Sequence, residues 1–153
     1  MIQFKHMKLL VFPVFLFIYS FSFSQGKLSS QQLNESWQLL DESNGVKVFA
    51  QKQKCAFSTS QMPLEFVFIR VENTTASTLN VSYQLASIYT EGCVGCDVNP
   101  ETAININVPA GASVTSTCEE NKPGLQVLVN NPNLKKGWSF QAIQLNGFKV
   151  ISK

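Results

Sequence analysis

Four cysteines, Cys55, Cys93, Cys96 and Cys118, are the side chains best equipped for chemistry in this sequence. Cys93-Val94-Gly95-Cys96 has the spacing used for thiol–disulfide exchange, and also for one half of a four-thiolate zinc site. An exchange pair works through a thiolate, which a helix N-terminus normally stabilises. Here Asp97 follows at once, Pro100 comes soon after, and the chain continues as a strand, so no helix is available. Glu91 and Asp97 also oppose a thiolate by their charge. Zinc would need a second tight pair, and Cys55 and Cys118 each stand alone. An even number of cysteines points instead to two disulfides. The preferred pairing is Cys93–Cys96 with Cys55–Cys118, the latter closing a loop of about 64 residues worth about 4 kcal/mol. The two crossed pairings stay open.

The segments around these cysteines are acidic. Glu91, Asp97 and Glu101 flank the first pair, and Glu119 and Glu120 follow Cys118, with Lys122 nearby. If successive strands run antiparallel, all four cysteines emerge at one end of the molecule, and these five carboxylates form a rim there for a partner. Asp97, Asn99 and Glu101 alternate as oxygen ligands of calcium would. The plainer reading is a solvated loop, because Asn and Asp cap turns. No cofactor is expected.

The first residues read as a separate segment. Lys5, His6 and Lys8 precede an apolar run from Leu9 to Phe23, and Ser22 and Ser24 place small residues before Gln25. This is the layout of a secretory signal peptide over 1–24. The run falls short of the about 20 apolar residues of a membrane span, so none is expected after processing. Lys5 and Lys8 leave with the leader, reducing the 12 basic residues to 10 against 10 acidic ones. A near-neutral chain whose only arginine is Arg70 offers no basic stripe for nucleic acid. His6, the only histidine, leaves too, and with it the base of serine and cysteine hydrolases. No serine sits in a nucleophile elbow, and no glycine-rich phosphate loop occurs. A pair of glycosidase carboxylates would need a cleft that so small a domain rarely forms. A non-enzyme is expected, located in the periplasm or outside the cell.

The elements that must position these side chains are short strands. Val46, Val48 and Ala50 alternate with Lys47, Phe49 and Gln51. Val67, Ile69 and Val71 alternate with Phe66 and Phe68, which marks a central strand apolar on both faces. Further alternation runs through Thr78–Thr90, Ile104–Val108, Val114–Ser116, Leu125–Val129 and Trp138–Ala142, then Phe148–Val150. Asn44-Gly45 and Asn146-Gly147 read as hairpin turns, Pro109-Ala110-Gly111 and Pro123-Gly124 as further turns. Ser29–Asp41 is ambiguous. Ser29 and Gln32 have capping-box spacing and Leu33, Trp37 and Leu40 a helical one, yet Trp37 and Leu39 would also pair across Asn44-Gly45. A linker or short helix over 25–35 is expected, then a sandwich over 36–153. Exposed Trp37 or Trp138 would stack on a sugar, but both are expected to be buried.

Two segments carry a resemblance. Val71-Glu72-Asn73-Thr74-Thr75 followed by Leu79-Asn80-Val81-Ser82-Tyr83 resembles the hairpin of immunoglobulin-like sandwiches in bacterial surface proteins. Val108-Pro109-Ala110-Gly111-Ala112-Ser113-Val114 resembles the proline-glycine turn of the same superfamily. The resemblance implies an all-β, immunoglobulin-like antiparallel sandwich of about 7–9 strands, and a fold of this type carries no function by itself. The expected role is an exported binding or structural module whose partner is a protein or an envelope glycan. The alternative is a small envelope enzyme or thiol-redox protein using Cys93 and Cys96.

Overall fold

The computed structural model describes residues 26–57, 62–130 and 136–152. The expected leader, and Asn131–Lys135 of the loop before Trp138, lie outside the described residues. Ten strands are present: β1 (Lys27–Ser29), β2 (Gln38–Ser43), β3 (Val46–Cys55), β4 (Leu64–Asn73), β5 (Leu79–Tyr89), β6 (Gly92–Val94), β7 (Ile104–Val108), β8 (Ser113–Thr115), β9 (Gln126–Leu128) and β10 (Phe140–Ser152). They form two antiparallel sheets, so the chain is an all-β sandwich. One sheet runs β1-β10-β5-β6 with β7 also on β5, and the other runs β2-β3-β4-β8 with β9 also on β4. In each sheet two short strands share one edge of a long strand, so ten strands fill eight positions.

The period-two pattern explains which faces meet. Val46, Val48 and Ala50 of β3, Val67, Ile69 and Val71 of β4, and Val81 and Tyr83 of β5 are buried between the sheets with Val108, Leu125 and Ile143. Each such aliphatic side chain, fully buried, contributes about 1.5–3 kcal/mol. Tyr83 donates its hydroxyl to the Gly124 carbonyl at 3.1 Å, so the one polar atom it brings into the core is paired across the sandwich.

Four expectations need correction. First, Ser29–Asp41 forms no helix and residues 26–35 are no linker. β1 pairs with β10, and Leu28 and Leu33 are buried in the core. The capping box does form: the Ser29 N–H donates to Gln32 Oε1 at 2.9 Å and the Gln32 N–H to Ser29 Oγ at 3.4 Å. It closes only a single turn, because burying Leu28 and Leu33 in the sandwich outweighs extending a helix.

Second, Asn146-Gly147 is not a hairpin turn. β10 continues through it, pairing Asn146 with Gln84 and Lys149 with Ser82 across a break in register. Positive φ at Gly147 (60°) serves a bulge as well as it serves a turn. At Asn44-Gly45, by contrast, both residues have positive φ, 48° and 76°, and β2 folds back on β3 as expected.

Third, Val71–Thr75 and Leu79–Tyr83 are not a hairpin, because β4 and β5 lie in different sheets. The link between them is held by Asn73, which is buried. Its amide nitrogen reaches the Ser77 carbonyl at 2.7 Å and the Val108 carbonyl at 3.0 Å, while its oxygen accepts from the Thr75 N–H and hydroxyl. The fourth correction concerns the acidic rim, described next.

Candidate functional site

Both disulfides of the preferred pairing are present. Cys55 and Cys118 join the end of β3 to the segment between β8 and β9, with Cα atoms 5.5 Å apart, and Cys93 and Cys96 close a small loop with Cα atoms 5.8 Å apart. Cystines of this kind mark an oxidising environment. Their surroundings differ: Cys55 is 1% exposed, whereas Cys93 and Cys96 are both exposed.

The four sulfurs do not share one site. Strands that point the same way alternate between sheets here, which the antiparallel argument did not resolve. β6 turns straight back along β5, pairing Cys93 with Ile88, in the sheet that does not contain Cys55. Among the described residues no three His, Cys, Asp or Glu side chains converge where a metal ion would sit.

The acidic rim is divided for the same reason. Residues 95–103 leave the edge between β6 and β7, and β5 holds them. Gln84 Nε2 donates to the carbonyls of Gly95 (3.1 Å) and Asp97 (2.9 Å), and Gln84 Oε1 accepts the Asn99 N–H at 3.0 Å. Asn99 Oδ1, a calcium candidate by sequence, accepts from the Glu101 N–H at 2.9 Å and caps a short 3₁₀ turn over Pro100–Thr102. Asp97 and Glu101 are exposed on this segment, and Glu91 is exposed in the turn before β6. Beside the segment that carries Asp97 and Glu101 lies a hollow of about 200 Å³, lined by Gln84, Val98, Asn99, Asn105, Asn146 and Lys149 among others.

Glu119 and Glu120 belong to the other sheet. Residues 116–125 leave the edge between β8 and β9, anchored by Ser116, whose hydroxyl donates to the Glu120 carbonyl at 2.6 Å and accepts the Lys122 N–H at 3.0 Å. Glu120 pairs with Lys122 Nζ at 3.2 Å on the surface, an interaction worth little. Glu119 instead lines a hollow of about 230 Å³ over β3 and β4, together with Trp37, Gln51, Gln53, Phe68 and Cys118. A second hollow of about 330 Å³, lined by Glu35, Gln51, Gln53 and Lys54, shares its two glutamines.

The solvent side of β3 and β4 is aromatic beneath these hollows. Phe66 stacks on Phe68 at 5.8 Å between centroids, and Phe57 meets Phe66 edge-on at 6.1 Å. Arg70, directly opposite Phe49 in the register, places its guanidinium 4.6 Å from the Phe49 ring and 4.8 Å from that of Trp37. Cation–π contact of this kind is worth about 0.5–2 kcal/mol and holds Trp37 in place. Trp37 is half-buried, not fully buried as expected. Trp138 is also half-buried, but it packs on Tyr89 at 5.8 Å and against Gly92, where an added Cβ would lie 2.8 Å from its ring. Sequence reading missed the Arg70 contact, although the pairing of Trp37 across Asn44-Gly45 was its one available signal.

No family model, characterised protein or solved structure matches this chain.

Three Asn-x-Ser/Thr sequons occur, at Asn34, Asn73 and Asn80: Asn34 is exposed, Asn80 is half-buried and Asn73 is buried with its amide fully engaged. Asp41, at a register break between β2 and β3, has its carboxyl raised above the usual range by burial, an effect opposed by the Glu42 N–H. No helix among the described residues is long and apolar enough to cross a membrane.

Proposed function

We propose that this chain is a non-enzymatic, exported β-sandwich module of immunoglobulin-like type, with a binding role in the cell envelope or the extracellular space. The observation that carries the reading is the pair of hollows over β3 and β4. There, half-buried Trp37 and the side chains of Gln51, Gln53 and Glu119 gather on a face pinned by the Cys55–Cys118 bridge. Rigid scaffolds that present aromatic and amide groups together are suited to binding. Export is supported by the leader-like segment before Gln25 and by the two cystines. The non-enzymatic reading rests on the loss of His6 with that leader. The partner is a protein or an envelope glycan.

The test is retention of the purified protein on native envelope material, with Glu119→Lys/Glu120→Lys as the charge-reversed control. Wild type is expected to be retained and the control released. Absence of retention in both would overturn the reading.

A second reading has one observation in its favour. The exposed Cys93–Cys96 bond is open to an attacking thiolate, whereas Cys55 is not. Thiol exchange in which Cys93 and Cys96 cycle between disulfide and dithiol would make the chain a small envelope redox protein. Reduction of that bond by stoichiometric thioredoxin-type dithiol at neutral pH would support this reading, and resistance to a large excess would remove it.

A further inference from the structure

We infer that the joined hollows over β3 and β4 are a subsite for a neutral sugar chain; this rests on the binding reading above and gives it a ligand class. β3 and β4 are interior strands, flanked by β2 on one side and by β8 and β9 on the other. Along Val46–Ala50 the backbone of β3 is used within the sheet, and beyond β2 the Lys52 N–H donates to the Asn34 carbonyl, so recognition on this face runs mainly through side chains.

Those side chains match a polyhydroxylated ring. Among the described residues, the Trp37 indole N–H, both polar atoms of the Gln53 amide and Gln51 Oε1 have no protein partner. Gln51 Nε2 donates to the Glu35 carbonyl, which fixes the orientation of that amide. The site therefore offers donors and acceptors together beside an indole held in place by Arg70. A sugar presents hydroxyls that both donate and accept, and an apolar C–H face that packs on an aromatic ring.

Charge narrows the class. Glu35 lines one hollow and Glu119 the other, against Lys54 and the Arg70 guanidinium beside Trp37. With two carboxylates matched by two cations, the site has no net charge to draw a phosphorylated or uronic-acid chain, which leaves neutral ones. The hollows, about 230 and 330 Å³ and sharing Gln51 and Gln53, together reach the range of about 300–1,000 Å³ usual for ligand sites.

The experiment is affinity electrophoresis of the purified protein through gels containing soluble glucan, mannan or xylan, with alginate as the anionic comparison. Retardation by at least one neutral polysaccharide and none by alginate is expected. Trp37→Ala and Gln53→Ala should each weaken it about tenfold, and Trp138→Phe should leave it unchanged. Gln53 is exposed, so Gln53→Ala tests the site without disturbing the core. Retardation by alginate alone, by none of the polymers, or equally for all variants would overturn the inference. Retention on envelope material is then repeated after protease and after periodate treatment of that material. Loss only with periodate supports a glycan. Loss only with protease overturns the sugar inference while leaving the binding module standing, and no retention in any arm overturns both.

Discussion

Graded reduction of the native protein should open the two bridges in a fixed order, with unequal consequences. Cys93 and Cys96 are exposed and close a loop with a sequence separation of 3, whereas Cys55 is 1% exposed, Cys118 is half-buried and their bridge has a sequence separation of 63. In the chain-entropy treatment the long loop is worth about 4 kcal/mol and the short one about 2 kcal/mol, and stiff short loops deliver less than the formula gives. For a domain of about 130 residues, 1 kcal/mol moves Tm by about 3–5 °C. Cys55→Ala/Cys118→Ala should therefore lower Tm by about 12–20 °C, and Cys93→Ala/Cys96→Ala by less than half as much. The order is read by alkylating thiols at increasing dithiothreitol and mapping the labelled peptides, and the cost by circular dichroism on heating. Labelling at Cys55 and Cys118 before Cys93 and Cys96 would refute the reasoning from burial. Equal losses of Tm would refute the reasoning from loop length.

Other consequences are equally specific. Tyr83→Phe removes the hydroxyl that pairs with the Gly124 carbonyl and should cost about 1 kcal/mol in urea unfolding. Burial holds the Tyr83 phenol well above its usual range, so the fold favours the protonated form. Stability should be full below about pH 10 and fall above it, with the Tyr83 ultraviolet signal titrating only as the protein unfolds. Gln84→Ala removes three hydrogen bonds to residues 95–99 and should cost about 2–3 kcal/mol, with faster hydrogen exchange at the Asn99 amide. Asp41, raised by burial, favours the fold most when neutral, and that contribution is lost as pH rises through its raised value. Asp41→Asn should accordingly raise Tm at about pH 7 and change nothing at about pH 3.

What the sequence revealed was local. Alternation along Val46–Gln51 and Phe66–Val71 specified strands and their inward faces, because one buried face forces period two. Asn44-Gly45 specified its hairpin through two residues that tolerate positive φ. Asn146-Gly147 carries the same local preference, but whether such a residue reverses the chain or bulges it depends on the partner strand β5, far away in sequence. The acidic rim failed on the same ground. Strand direction placed Asp97 and Glu119 together, but their sheet membership, set by the crossing at Asn73, separated them. The hollow over β3 and β4 was hidden because it needs Trp37 from before β2, Gln51 and Gln53 from β3, Phe68 from β4 and Glu119 from beyond β8. No spacing joins those five residues until the sheet does.

The chain has two tryptophans, and they separate the account from its rivals. In nitrogen-15-labelled protein titrated with soluble envelope extract, the indole N–H resonance of Trp37 should shift progressively with the Gln53 side-chain amide, while that of Trp138 stays still. Movement of Trp138 or of the Val94–Asn99 amides, with Trp37 unmoved, would contradict the claim that this protein binds through the face of β3 and β4.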